Sequence, residues 1–125
     1  MIHGIGTDIV AVARLRGMWE QHGERIVRKL LAPSEQGDFE RAPDKGRFLA
    51  KRFAAKEAFA KALGSGVRAP ATLPAIAVTH DELGKPLLQF APELASLLHG
   101  RGLVAHLSIS DEADFAVAYV IIESP

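Results

Sequence analysis

The chain has 125 residues, with 15 basic and 15 acidic side chains and no cysteine. This length predicts a single domain, residues 1–125, that can bury a real core. A net charge of zero gives no overall indication of nucleic-acid binding, and the lack of cysteine excludes disulfides and thiolate metal sites. The first residues lack the basic and apolar regions of a secretion signal, so we expect none, and no apolar run approaches the roughly 20 residues that a membrane span needs. We therefore expect a cytoplasmic protein that binds neither nucleic acid nor membrane.

The first half of the chain predicts one strand followed by helices. Residues 2–10 form a glycine-bearing strand, residues 11–31 a helix that Gly17 or Gly23 could interrupt, residues 35–41 a short helix, and residues 45–63 a long one. Gly64 is the expected stop of the long helix, since glycine commonly follows the last helical residue.

The second half predicts mainly antiparallel strands. After a loop at residues 69–74, we expect strands at 75–79 and 87–90, a helix at 92–98, and a hairpin of strands at 103–110 and 115–122. The last strand is apolar on both faces, which is typical of a central strand. The predicted fold class is α+β, with a small, largely antiparallel sheet packed against the long helix.

The segment from Lys45 to Arg68 is strongly basic and contains a single acid, Glu57. Its seven basic residues are Lys45, Arg47, Lys51, Arg52, Lys56, Lys61 and Arg68. Such a block favours a polyanion, and phosphate is the usual one. The lone carboxylate would suit a divalent metal that lies among phosphates. The alternative is an ordinary helical ion pair between Glu57 and Lys61, which are four residues apart.

Two of these cations, Arg52 and Lys56, fall within the apolar arc of the long helix. Partly buried cations need anions close by. Glu57 is the only acid in the segment, so the pattern indicates that the phosphates of a ligand would supply the rest of the negative charge.

Asp8 follows two closely spaced glycines, Gly4 and Gly6, in the first strand. The segment is not a dinucleotide-binding fingerprint, because Ile9 stands where a third glycine is required. The glycines instead predict close packing of the strand against another backbone. Asp8 is either the N-cap of the helix that follows or a metal ligand, and one carboxylate rarely holds Mg²⁺ alone.

Two further patterns allow a structural and a functional interpretation. Alternation places His106, Ser108 and Ser110 on one face of their strand, which is either the hydrated face of a sheet or the wall of a cleft. One stripe of the first helix is cationic around a methionine and is either a solvated surface or a docking surface for an acidic partner. Its members are Arg14, Met18, Gln21, Arg25 and Arg28.

Three segments together resemble one known family. They are residues 4–10 (GIGTDIV), residues 48–66 (FLAKRFAAKEAFAKALGSG) and residues 106–112 (HLSISDE). In order and spacing they are similar to the holo-(acyl-carrier-protein) synthases of the 4′-phosphopantetheinyl transferase family. The resemblance covers nearly the whole chain, and three spaced motifs are far more specific than any one of them.

The resemblance implies a function and a set of site residues. The family transfers phosphopantetheine from coenzyme A to a serine of apo-acyl carrier protein, uses Mg²⁺, releases adenosine 3′,5′-bisphosphate in support of fatty acid biosynthesis, and forms homotrimers with sites between subunits. By this resemblance Asp8 and Glu57 are the metal ligands, and Lys61 joins them as a catalytic residue. The expected coenzyme-binding residues are Lys45, Arg52, Lys56, Lys61, Gly64, Ser65, Gly66 and His106, and the stripe on the first helix is expected to dock the carrier.

The residues fit this chemistry without the resemblance, but they leave alternatives open. Phosphoryl transfer needs charge neutralisation more than an enzyme nucleophile, which accords with the lack of a cysteine or a nucleophile elbow. The competing class is a non-enzymatic module that binds a nucleotide or an acidic protein. The proton of the acceptor serine could pass to Asp8, to Glu57 through a water molecule, or to water alone.

Overall fold

A computed structural model describes all residues from 1 to 125. The strands are β1 (Ile2–Ala11), β2 (Ile76–His80), β3 (Pro86–Phe90), β4 (Val104–Asp111) and β5 (Phe115–Glu123). The helices are α1 (Val12–His22), α2 (Glu24–Leu30), α3 (Gln36–Arg41), α4 (Lys45–Leu63) and α5 (Pro92–Gly100), with short 3-10 turns at Pro33–Glu35 and Leu73–Ala75.

The strands form two antiparallel sheets. The larger sheet has the order β1-β5-β4, and β2 pairs with β3 in a separate hairpin. The prediction of an α+β fold with a central last strand is therefore confirmed. Burial alternates along β5, so that Ala116, Ala118, Val120 and Ile122 face the core.

The predicted first helix is interrupted at Gly23. This residue has φ of +54°, a conformation that is costly for residues with a side chain, and it separates α1 from α2. The long helix α4 begins after Asp44, whose side chain accepts a hydrogen bond from the Arg47 amide. It ends at Gly64 with φ of +88°, as predicted.

Helix α4 lies across the inner face of the larger sheet and almost touches β1. A side chain at Gly4 would place its Cβ 2.0 Å from the Ala62 carbonyl oxygen, and one at Gly6 would lie 2.0 Å from that of Ala58. The two glycines therefore allow the strand backbone to rest directly on the helix backbone, which confirms the predicted role of the motif.

A second buried contact holds α4 on its other side, and it is ionic. Lys56 and Glu35 are 0% and 1% exposed, and the Lys56 ammonium lies 2.6 Å from a Glu35 carboxylate oxygen. Arg52, at 4% exposed, lies with its Nε 3.1 Å from the other oxygen of the same carboxylate. Glu35 thus pairs with two buried cations, and Asp38, whose Oδ2 lies 3.7 Å from Arg52 Nη2, supplies the second negative charge.

The outer face of the larger sheet is uncovered and carries large apolar side chains. Ile5 and Ile9 of β1 are 58% and 64% exposed, and Phe115 and Tyr119 of β5 are also exposed. His106 and Ser108 of β4 share this face. An apolar sheet face of this kind is typical of a protein–protein contact.

We predict that Gly6→Ala destabilises the protein by about 3 kcal/mol or more, because the new methyl group would collide with the Ala58 carbonyl. Gly17→Ala is the matched control. Gly17 has open space around it within α1, so that variant should gain about 0.5–1 kcal/mol. Chemical denaturation of both variants measures the difference. Equal stability of the two variants would contradict the described β1–α4 contact.

Candidate functional site

Asp8 and Glu57 face each other at the edge where β1 crosses α4. Asp8 alternates with Gly4 and Gly6 along β1, so its side chain points to the helix side of the sheet. Burial raises the pKa of Glu57, and the nearby negative charge of Asp8 raises it further. Two carboxylates that repel each other favour a cation close to both.

Lys61 already supplies part of that positive charge. Its ammonium donates to the Thr7 carbonyl at 2.9 Å and to Asp8 Oδ1 at 3.2 Å. The structure contains no Glu57–Lys61 ion pair, so the ordinary helical pair that the sequence allowed is not formed. Lys61 instead bridges from α4 to β1 and remains about half exposed, with its ammonium at the open edge.

The interpretation of Asp8 as an N-cap is wrong. The residue that precedes α1 is Ala11, and no side chain caps that helix. Asp8 lies within β1, paired opposite Ala118 of β5. Its carboxylate is therefore free of a capping role and available to a ligand.

The two carboxylates fit a divalent metal, although they would form an incomplete site alone. The repulsion between the negative charges of Asp8 and Glu57 is the observation that favours a cation, and carboxylate oxygen is the ligand type that Mg²⁺ prefers. No group of three or more metal-ligating side chains occurs in the structure. A metal held here would take its remaining ligands from water or substrate, as Mg²⁺ commonly does beside phosphates.

The loop after α4 continues this site. Gly64 and Ser65 line a groove of about 320 Å³ together with Arg68 of the same loop and Arg101, which follows α5. Gly64 and Gly66 have positive φ, so the chain turns sharply there. The groove brings two arginines close to the carboxyl end of α4, where an anionic ligand would find positive charge.

His106 lies on the other side of the sheet. It is paired opposite Ile121, which is in turn paired opposite Ile5, so all three share one row on the outer face. Its Nε2 lies 2.9 Å from a Glu123 carboxylate oxygen. Because Asp8 points to the inner face, a single chain does not bring His106 to the carboxylate pair.

Lys56 does not fit its predicted role as a phosphate ligand. It is fully buried, and its ammonium donates to Glu35, to the Leu30 carbonyl at 2.7 Å and to the Leu73 carbonyl at 3.0 Å. An ammonium has three protons, so none remains for a ligand. The prediction for Lys56 is wrong, because its counter-charge is Glu35 rather than a bound phosphate.

Arg52 and Lys45 are also engaged within the chain. Arg52 is nearly as buried as Lys56, shares Glu35 with it and lies with its Nη2 3.7 Å from Asp38, so acids of the chain itself stand where we predicted a phosphate. The Lys45 ammonium donates to three carbonyls at the end of α3, those of Phe39, Glu40 and Ala42. Lys45 and Gly64 lie at opposite ends of α4, about 28 Å apart at 1.5 Å per residue.

The predicted docking stripe becomes part of a groove between α1 and α2. Met18, Arg25 and Arg28 line this groove, of about 460 Å³, and His22, Ile26 and Lys29 line it as well. Arg14 lies apart, with its guanidinium 5.3 Å from the centre of the Phe53 ring and close enough to Glu57 to lower the pKa of that carboxyl. Gln21 is exposed on α1 but does not line the groove. The surface thus extends from the groove to the carboxylate pair.

Sequence reasoning missed Glu35, Arg101, His22 and Lys29. Glu35 had one available signal, because an acid two residues after Pro33 commonly marks the first turn of a helix. The other three had none, because their neighbours are set only in the folded chain. A loop brings Arg101 to Arg68, and the break at Gly23 places His22 and Lys29 in the same groove.

Comparison with known proteins identifies the class and then the family. Residues 4–120 match the family model described as the 4'-phosphopantetheinyl transferase superfamily, so the protein is a transferase by class. A holo-[acyl-carrier-protein] synthase of Dechloromonas aromatica (strain RCB) is 73% identical over 98% of each chain. The chain therefore belongs to the 4'-phosphopantetheinyl transferase superfamily, among its holo-[acyl-carrier-protein] synthases, which confirms the resemblance of the three motifs.

Solved structures agree with this assignment. The crystal structure of a holo-[acyl-carrier-protein] synthase from Neisseria meningitidis superimposes with a TM-score of 0.95, at 43% identity over 98% of this chain and 99% of that one. The enzyme from Bacillus anthracis str. Ames, in complex with CoA (3',5'-ADP), gives 0.84 at 34% identity over 100% and 99%. Separately, no helix here has the length and apolar character to cross a membrane.

We predict that Asp8→Asn lowers the pKa of Glu57, because the substitution removes a negative charge that disfavours ionisation of Glu57. A ¹³C NMR titration of the Glu57 side-chain carboxyl in metal-free protein measures the change. A Glu57 pKa that does not change in Asp8→Asn would show that the two carboxylates do not interact.

Proposed function

We propose that the protein transfers 4′-phosphopantetheine from coenzyme A to a serine of apo-acyl carrier protein and releases adenosine 3′,5′-bisphosphate. The reaction requires Mg²⁺ and serves fatty acid biosynthesis in the cytoplasm. The observation that carries this proposal is the convergence of Asp8, Glu57 and Lys61 at one open edge, beside the cationic loop after α4. The names of the relatives and the coenzyme complex of the Bacillus anthracis enzyme support the same reaction.

The carboxylate pair is the proposed metal site. Asp8 and Glu57 would hold one Mg²⁺, which when bound neutralises charge on the pyrophosphate of the coenzyme. Lys61 is proposed to stabilise the same pyrophosphate, since its half-exposed ammonium can turn from Asp8 towards an incoming phosphate oxygen. Gly64, Ser65 and Gly66 would bind along the coenzyme with backbone groups, and Arg68 and Arg101 add charge to the groove that Gly64 and Ser65 line.

The acceptor hydroxyl would attack the β-phosphorus of coenzyme A and lose its proton. The bond from that phosphorus to the bridging oxygen breaks, and the oxygen leaves as part of adenosine 3′,5′-bisphosphate. The protein contributes no nucleophile, because the serine belongs to the carrier. Asp8, Glu57 through a water molecule, and water alone remain the candidate acceptors of that proton.

We propose that the carrier docks on the groove between α1 and α2. The groove combines Arg25, Arg28 and Lys29 with the apolar Met18 and Ile26, which suits an acidic helix that also presents an apolar side chain. Arg14 stands between this groove and Glu57, so the docked carrier would extend directly to the carboxylate pair.

We further propose a homotrimer in which neighbouring chains share each site. The apolar outer face of the sheet needs a cover, and a second copy of the chain is the proposed one. A groove of about 360 Å³ leads from Lys61 around the edge of β1 to Ile5 and Tyr119 on that face. A neighbour seated there could bring its own outer face, and with it a second His106, to the carboxylate pair.

Mass spectrometry of apo-carrier incubated with coenzyme A, Mg²⁺ and the protein tests the reaction itself. We expect the carrier to gain one phosphopantetheine, and we expect Asp8→Asn and Glu57→Gln each to reduce turnover at least about a hundredfold. Glu93→Gln, an exposed acid on α5, is the control that should retain activity. Tight binding of carrier or coenzyme without any mass gain would favour the competing class, a non-enzymatic binding module.

Reversal of charge in the groove tests carrier docking. Arg25→Glu with Arg28→Glu should raise the KM for the carrier at least about tenfold and leave coenzyme affinity unchanged, because rim charges steer and orient an acidic partner. Added salt should raise the wild-type KM, since exposed charges are screened beyond about 8–10 Å. Arg41→Glu with Lys85→Glu is the matched control, an equal charge change on two exposed side chains that do not line the groove. A carrier KM that ignores both changes would place docking elsewhere.

Subunit mixing tests the shared site. Asp8→Asn and His106→Ala proteins should each be nearly inactive, and refolding them together in equal amounts should restore about a quarter of wild-type activity, because a quarter of the interfaces then pair two intact partners. If each chain forms its own site, the mixture should recover no activity. Sedimentation of the wild type as an active monomer would also contradict the trimer.

A further inference from the structure

The buried Glu35–Lys56 pair joins the two parts of the molecule to which we assign docking and chemistry. Lys56 lies on α4 next to Glu57 in the sequence, on the face turned away from Asp8. Its ammonium donates to the Leu30 carbonyl, the last residue of α2, at 2.7 Å. The helix that holds one metal carboxylate is therefore bonded directly to the helix that forms one wall of the groove.

Glu35 extends this connection to two more segments. One carboxylate oxygen accepts from the Ala32 amide at 2.9 Å, just after α2, and the other accepts from the Val78 amide of β2 at 3.0 Å. Lys56 also donates to the Leu73 carbonyl before β2. Four segments thus meet at a single ion pair: the end of α2, the turn that holds Glu35, helix α4, and the segment that leads from Leu73 into β2.

Stability alone is a weak explanation for this arrangement. Burial lowers the pKa of Lys56 to about 8, although the negative charge of Glu35 acts to raise it. The lowered pKa reflects the cost of keeping an ammonium in the core. Apolar side chains of similar volume often replace a buried ion pair without loss of stability. What an apolar pair cannot supply is four directed hydrogen bonds that fix one helix end relative to another.

We propose that Lys56 is a positioning residue that sets the α1–α2 groove at a fixed distance and angle from Glu57, with Glu35 as its anchor. This inference rests on the proposed function and concerns how the acceptor serine is placed. A carrier bound in the groove presents its serine at the carboxylate pair only if α2 and α4 keep their relative position. A displacement of about 1 Å at a reacting group can reduce the rate by about a hundredfold.

The test separates placement from binding. Lys56→Met should lower kcat at least about tenfold, while the Kd for the carrier and the Kd for coenzyme A each stay within about twofold of wild type, because the groove and the coenzyme loop do not themselves contain Lys56. Glu35→Gln, which keeps the shape but removes the charge, should give the same pattern. It also provides the measurement if Lys56→Met does not fold.

Leu94→Ala is the control for lost stability. Leu94 is fully buried on α5, away from the α2–α4 junction, so this variant should lower the melting temperature by a similar amount and keep kcat per folded molecule unchanged. The inference is overturned if kcat in Lys56→Met or Glu35→Gln falls only in proportion to the folded fraction, as in Leu94→Ala, or if carrier affinity falls instead. An inactive wild type would reject the proposed function and is distinguishable from either result.

Discussion

The close contact between β1 and α4 is the constraint on which the rest of the structure depends. Gly4 and Gly6 leave no side chain between the strand and the helix, so the Ala58 and Ala62 carbonyls lie against the strand backbone. This contact places Asp8 of the strand beside Glu57 of the helix. Side chains between the strand and the helix would hold the two backbones apart and leave more space between the two carboxylates than one shared cation can bridge.

Helix α4 handles its cations in two different ways on its two sides. Towards Glu35, Lys56 and Arg52 are buried and neutralised within the chain. Towards β1, Lys61 remains half exposed, and its ammonium donates both to Asp8 and to the Thr7 carbonyl, so its charge can be redirected. We interpret the first side as the part that holds the helix in place and the second as the part that meets substrate.

The sequence predicted much of the fold because its signals are local. Glycine at 64 ends a helix, the apolar last strand is central, and glycines at 4 and 6 allow close packing. The error at Lys56 arose because its counter-ion, Glu35, is 21 residues away in sequence. Helical periodicity shows which residues are buried but not which distant residue meets them. The separation of His106 from Asp8 across the sheet could likewise be seen only in the structure, because it depends on strand order.

The central claim is that Asp8 and Glu57, brought together by the β1–α4 contact, bind one divalent cation. Electron paramagnetic resonance of Mn²⁺ titrated into the protein without substrate counts bound metal directly. We expect one Mn²⁺ per chain in the wild type, displaced by excess Mg²⁺, and at least about a tenfold weaker Kd in both Asp8→Asn and Glu57→Gln, because each variant removes one charged ligand. Mn²⁺ binding that is unchanged in both variants would contradict the claim.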